Sequence, residues 1–228
     1  MAREFTRNML IMLAAIMVGV VIVTYFVADI INRSTIETIN VQHHVEIVDI
    51  NSRNENFTNY CLQGSVKMDS AREVREVGNY YFDFALYWFN TALADSDKNL
   101  TVQSIKNCTQ AMGQYLNAHE SFGKARPFFL TARNFTTRPQ YLEVIGYYIG
   151  FSYAGQNITM LRYNASDYLR RAAENLSFGH MENVTMLMAN FTMLEQLVQG
   201  ATQMYNEFRY QIDGYLFFST IREIPDQT

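Results

Sequence analysis

The chain is short of proline, lysine and cysteine. Three prolines in 228 residues leave few forced stops for long helices. Four lysines and a net charge of -4 leave no basic stripe to neutralise phosphates, so no nucleic-acid partner is expected. The two cysteines, Cys61 and Cys108, are too far apart for a CxxC redox pair or a zinc pattern. One Cys61–Cys108 disulfide is the simplest expectation, fitting an oxidising compartment and worth about 3–4 kcal/mol in the chain-entropy description. Catalytic signatures are missing too. No serine stands in a GxSxG elbow, and the glycines form neither a P-loop nor a GxGxxG turn. None of His43, His44, His119 and His180 belongs to an HExxH pattern, and His119, beside Glu120 on an apolar stripe, reads as a hydrogen-bonded core residue. Asp83 and Asp167 are carboxylates that only folding can bring together. No enzyme activity, cofactor or metal site is expected.

What is present begins with an uncharged run, Met9–Ala28, of about the twenty residues a helix needs to cross a hydrocarbon core. A cleaved signal peptide is the rival, but its apolar region is normally shorter, and Phe26 is bulky for a cleavage site. Arg3 and Arg7 precede the run, so the positive-inside bias puts the N-terminus in the cytoplasm and the rest outside. The expected division is a cytoplasmic N-terminus over 1–8, a transmembrane anchor over 9–31, a membrane-proximal stalk and loop over 32–64, and an extracytoplasmic bundle over 65–228. The localisation expected is a single-pass cell-membrane protein, with lipid as a partner through the first helix. Ala15 and Gly19 are spaced to let another helix approach.

Ten N-x-S/T acceptors follow, at Asn32, Asn56, Asn99, Asn107, Asn134, Asn157, Asn164, Asn175, Asn183 and Asn190. Random order at this composition would give about two or three. All ten follow the apolar run, on the side where glycosylation occurs, which agrees with the charge argument. N-linked glycans are therefore expected, with partial occupancy. Asn157 and Asn164 are seven apart, as are Asn183 and Asn190, so each pair shares a helix face and leaves another edge bare.

High aromatic and methionine content with little proline suits an all-α fold, an N-terminal transmembrane helix followed by a bundle of about four to six helices. The polar stretch 51–59 reads as a loop before Cys61 and Gly64, with the bundle starting near Ser65. Val74, Val77, Tyr81, Phe84 and Trp88 predict one buried stripe, ending near Asp95–Asp97. Ile105, Cys108, Met112, Tyr115, His119 and Phe122 predict a second, closing before Pro127. A third helix after Pro139 carries Leu142, Ile145 and Ile149 and ends around Gly155. A fourth carries Leu161, Ala165, Tyr168 and Ala172 and breaks near Ser177–Gly179. The last, from Val184 through Leu187, Phe191, Leu194, Val198, Ala201, Tyr205, Phe208 and Ile212 to Tyr215, keeps the three-four step throughout. Aromatic residues from Tyr80 to Phe89 cover more faces than one stripe needs. Central burial, a subunit interface and a ligand pocket are the competing explanations. The run Tyr215–Phe218 likewise exceeds one stripe and suits docking on a partner or on the membrane surface.

Three partial resemblances follow from these residues. Gly150, Tyr153, Ala165 and Ala172 are spaced in a way that resembles part of a tetratricopeptide unit, implying helical hairpins. An apolar helix before an outer domain resembles pilus-like filament subunits in layout, although Thr6, Arg7 and Asn8 stand where that family has its processing site. A bundle following an anchor resembles the outer part of chemoreceptors, whose second span and signalling region are not in these residues. The leading expectation is a non-catalytic, membrane-anchored surface subunit that assembles with other protein subunits or with itself. A sensor or ligand-binding module acting through a partner comes second. A pilus-like subunit or an accessory subunit of a membrane complex completes the alternatives.

Overall fold

The structure is a computed structural model that describes the backbone of residues 2–215, with side chains at Thr24, Val27 and residues 31–215. Those residues form four α-helices and one short 3-10 turn, and no strand occurs among them. They divide into two compact units, Met1–Arg53 and Asn54–Thr228.

The first unit is the N-terminal part of α1 (Ala2–Asp95). Its side chains from Ile31 onward are all exposed, Ile36, Ile39, Val41, Val45, Ile47, Val48 and Ile50 included. Among the described residues no helix is long and apolar enough to cross a membrane. The run Met9–Ala28 lies outside the described side chains, Thr24 and Val27 excepted.

The second unit is an up-down-up-down bundle of the rest of α1 with α2 (Lys98–Ala132), α3 (Pro139–Phe178) and α4 (Met181–Asp213). Antiparallel pairing shows in the cross-helix partners. Ser104 meets Ala85, Ser152 meets Phe122, Arg162 meets Glu195, and Phe82 stacks on Phe191 at 6.0 Å. Buried positions recur at steps of three and four on α2 (Thr101, Ser104, Cys108, Ala111, Tyr115, Ala118, Phe122, Ala125, Phe129, Ala132) and on α4, the repeat of a bundle seam.

Residue size explains how closely the first two helices pack. Gly64, Ala71, Gly78, Ala85 and Ala92 form one column spaced by seven on α1; Ser104, Ala111, Ala118, Ala125 and Ala132 form another on α2. All ten are buried. A Cβ on Gly64 would lie 2.6 Å from the Phe129 ring, and one on Gly78 2.9 Å from Tyr115, so glycine makes room for aromatics of the facing helix. The Ser104 hydroxyl donates to the backbone oxygen of Ala85 at 2.8 Å, a contact that requires close approach. Between α2 and α3 the Ser152 hydroxyl does the same to Phe122 at 2.6 Å.

Four expectations need correction. The stretch 51–59 is helical, because Phe57 and Cys61 are already core residues and Phe57 stacks on Tyr141 at 5.0 Å, so the packed unit begins before Ser65. Pro127 lies inside α2, whose stripe continues through Phe129 and Ala132; packing there outweighs a penalty of about 3 kcal/mol for interior proline. Gly155 ends nothing: α3 runs through it because Gly155 faces Phe122, where a Cβ would lie 2.7 Å from the ring. The buried stripe of α1 is Gly78, Phe82, Ala85, Phe89 and Ala92, whereas Val77 and Phe84 are exposed.

Helix ends follow local chemistry. Ser96, at φ 58°, turns the chain after α1, and the Asp97 carboxylate caps α2 by accepting from the Asn99 N–H at 2.8 Å. Pro139 opens α3, and Gly179, at φ 79°, closes it with paired bonds from Gly179 N–H to Leu176 and from His180 N–H to Asn175.

Candidate functional site: exposed faces of the bundle

The core divides into two apolar clusters. One contains Phe57, Met68, Phe122, Phe129, Ile145 and Tyr205; the other contains Phe82, Phe89, Tyr115, Leu169, Leu187 and Phe191. Polar side chains join the helices at mid-bundle. Tyr115 donates to Asn79 Oδ1 at 2.9 Å, and Arg162 makes a forked pair with Glu195 at 2.7 and 2.8 Å while lying 4.8 Å from the Phe82 ring centroid. His119 Nδ1 lies 3.0 Å from the Gln156 backbone oxygen, and Gln156 also bonds Arg126. His119 is thus the hydrogen-bonded residue that its position on the stripe predicts. Arg75 lies over the Tyr205 ring at 4.7 Å. Arg75 Nε, Arg126 Nε and the Tyr205 hydroxyl are buried without a hydrogen-bond partner.

The expected disulfide is not formed. Cys61 and Cys108 are both free, buried, and in different clusters. Cys108 is one turn along α2 from Ser104, which touches Ala85, and Ala85 lies about 36 Å along α1 from Cys61 at 1.5 Å per residue. A disulfide requires Cα atoms within about 7 Å. Burial pushes both thiols up to about 12, so each behaves as a neutral apolar group.

Among the described residues no group of three or more His, Cys, Asp or Glu is arranged to hold a metal ion. Asp167 is engaged by Arg170 at 2.6 Å, and Asp83 is exposed on α1. His43 faces Glu46 at 3.6 Å on the exposed first unit, and His180 is exposed beside Phe178. At the C-terminal end, the Tyr215 hydroxyl donates to Glu143 at 2.7 Å; Leu216, Phe217 and Phe218 lie outside the described residues.

Sequons differ in what surrounds them. Asn32, Asn99, Asn134, Asn157, Asn164 and Asn183 are exposed, while Asn56, Asn107, Asn175 and Asn190 are half-buried. In three sequons the hydroxyl residue is in the core: Thr101 donates to Lys98, Thr159 to Gly155 and Gln156, and Ser166 to Arg162. Those hydroxyls satisfy themselves on their own helix, which gives the sequons of Asn99, Asn157 and Asn164 a packing reason to exist.

Two outward faces carry large apolar side chains. On α4, Met186, Met193, Leu197 and Met204 are 51–59 % exposed, and Asn183 and Asn190 stand in the same three-four series. On α1, Val77, Tyr80, Phe84 and Tyr87 are 40–60 % exposed, with Leu62 and Val66 further down the helix. Tyr80 packs on Phe84 at 4.7 Å, and Tyr87 lies edge-on to Trp88 at 5.0 Å. No sequon lies between Asn56 and Asn99. The surplus aromatics of α1 are therefore largely a surface feature. The stripe expected to be buried, Val74, Val77, Tyr81, Phe84 and Trp88, took Val77 and Phe84 from this face because Gly78, Ala85 and Ala92 look less apolar than they do.

No family model, curated protein or solved structure matches this chain.

Proposed function

We propose that this chain is a non-catalytic, N-glycosylated surface subunit, anchored by the helix that contains Met9–Ala28, whose outer bundle assembles with other protein subunits through bare helix faces. The observation that carries the reading is the exposed apolar series of α1, which runs through the longest sequon-free stretch after the apolar run. A contiguous apolar patch of several hundred Å² marks an interaction surface more often than a solvated one. Glycans at the remaining acceptors would keep neighbours off the other faces. The test is the native size of the detergent-solubilised protein, with intact mass before and after deglycosylation. A glycosylated assembly supports the reading; an unmodified monomer contradicts it.

A second reading, an extracytoplasmic ligand-binding module acting through a partner, draws support from the buried Arg75, Arg126 and Tyr205 atoms without partners. Such groups cost about 1–3 kcal/mol each when left unmade, a cost that a polar ligand or water reaching them would relieve.

A further inference from the structure

We propose that the partner on α1 is a second copy of this chain, paired parallel to the first along Val77, Tyr80, Phe84 and Tyr87. The inference deepens the subunit reading above and rests on it. Taking Val77, Phe84 and Thr91 as one seam column and Tyr80 and Tyr87 as the other, the flanking columns differ in character. One flank carries Asp69, Glu76 and Asp83, all exposed and spaced by seven. The other carries Lys67, Val74, Tyr81 and Trp88, also spaced by seven.

Orientation follows from those flanks. In a parallel two-helix seam the flank before the first column meets the opposite flank of the neighbour five residues on; in an antiparallel seam each flank meets its own kind. Parallel pairing brings Glu76 to Tyr81 of the second copy and Asp83 to Trp88 of the second copy, each a carboxylate beside an O–H or N–H donor. Antiparallel pairing would set acidic columns against each other, which repels, less so at Asp69 and Glu76, each already paired with an arginine of its own helix, Arg72 at 3.1 Å and Arg75 at 2.9 Å. Glu73 interrupts the apolar series below Val77, so the packed contact belongs to the Val77–Thr91 part of α1.

The area is consistent with membrane-assisted pairing. Four half-exposed side chains with the flanking Tyr81 and Trp88 offer about 400–500 Å² of largely apolar surface, at about 150–250 Å² per aromatic residue. That is roughly half of the 800 Å² per partner typical of stable complexes. A shared membrane raises the effective concentration and lowers what the interface itself must supply.

The experiment is oxidative cross-linking of the full chain in membranes, with one added cysteine per variant: Tyr80→Cys and Phe84→Cys on the seam, Leu116→Cys on α2 and Leu197→Cys on α4 as exposed controls. Cys61 and Cys108 are buried, so the parent chain sets the background. Self-linked dimers at both seam positions, at least tenfold above the controls and the parent, are expected. Equal yields at Leu116 or Leu197, or none at the seam, overturn the proposal. A glycosylated chain that co-purifies with a different protein and does not self-link at Tyr80 or Phe84 sinks this inference while leaving the subunit reading standing. An unglycosylated chain that self-links at the seam does the opposite.

Discussion

The outward faces of α1 and α4 are similarly apolar and differently marked. Both expose side chains at helical spacing, Val77 to Tyr87 on one and Met186 to Met204 on the other. The α4 series is interleaved with Asn183 and Asn190, and the α1 series has no acceptor. Flexible methionines interleaved with acceptors need no partner once those acceptors carry sugars, whereas rigid aromatics at a low entropy cost per area are the side chains that protein interfaces favour. Exposure alone therefore does not separate the two faces; under the proposed function, the distribution of acceptors does.

The largest effect should come from making the α1 face resemble α4. Phe84→Asn with Leu86→Thr writes a sequon into the seam, and a glycan there should abolish the dimer while leaving helicity intact, read by native mass and circular dichroism. A dimer that persists with that site fully occupied would move the interface elsewhere.

The inward face of α1's partner helices should respond in the opposite sense, in stability and not in association. Gly155→Leu drives a side chain into the Phe122 ring and should cost roughly 1–3 kcal/mol or more in chemical unfolding. Gly113→Leu, where a Cβ meets nothing within 4 Å, should be neutral or stabilising because leucine has the higher helix propensity.

Occupancy should follow the hydroxyl as well as the asparagine. Glycopeptide mapping should find Asn183, whose Thr185 is exposed, more fully occupied than Asn157 and Asn164, whose Thr159 and Ser166 are buried. Equal occupancy across the three would show that sugars are added before α3 folds.

The smallest effect concerns Glu76, on the acidic flank of α1. Burial alone would raise its pKa, but the hydrogen bond and charge of Arg75, with help from Asn79 and Arg72, hold it below the usual carboxylate range. A depressed folded-state pKa stabilises above the unfolded value of about 4.3 and loses that contribution as pH falls through the folded value. Glu76→Gln should therefore flatten the acid limb of the monomer's stability profile slightly and lower stability slightly at neutral pH, where the contribution is fully present.

How much of this was legible in the sequence depends on side-chain size. The α4 seam could be read directly, since Val184, Leu187, Phe191, Leu194, Val198, Ala201 and Tyr205 are large or apolar at every step and all are buried. The α1 seam could not, because hydropathy ranks Gly64, Gly78 and Ala85 below the Val77 and Phe84 that face outward. What places them inside is the aromatic opposite each glycine, a long-range fact no local window contains. Breaks predicted at Gly155 and before Pro127 failed for the same reason: Phe122 fills the space beside one, and Phe129 carries the stripe past the other. The Cys61–Cys108 pairing rested on Cys61 lying just ahead of the first bundle helix; α1 instead runs through it, and α2 meets α1 near Cys108 at Ala85, so the two thiols sit in separate clusters. The candidate interaction face was visible only as surplus, too many aromatics for one stripe.

The most direct measurement is the oligomeric state of the deglycosylated protein reconstituted in lipid bilayers, by chemical cross-linking, compared between Phe84→Glu on α1 and Met193→Glu on α4. The account predicts a dimer for the parent and for Met193→Glu, and a monomer for Phe84→Glu. Dissociation by Met193→Glu with Phe84→Glu still dimeric would contradict it.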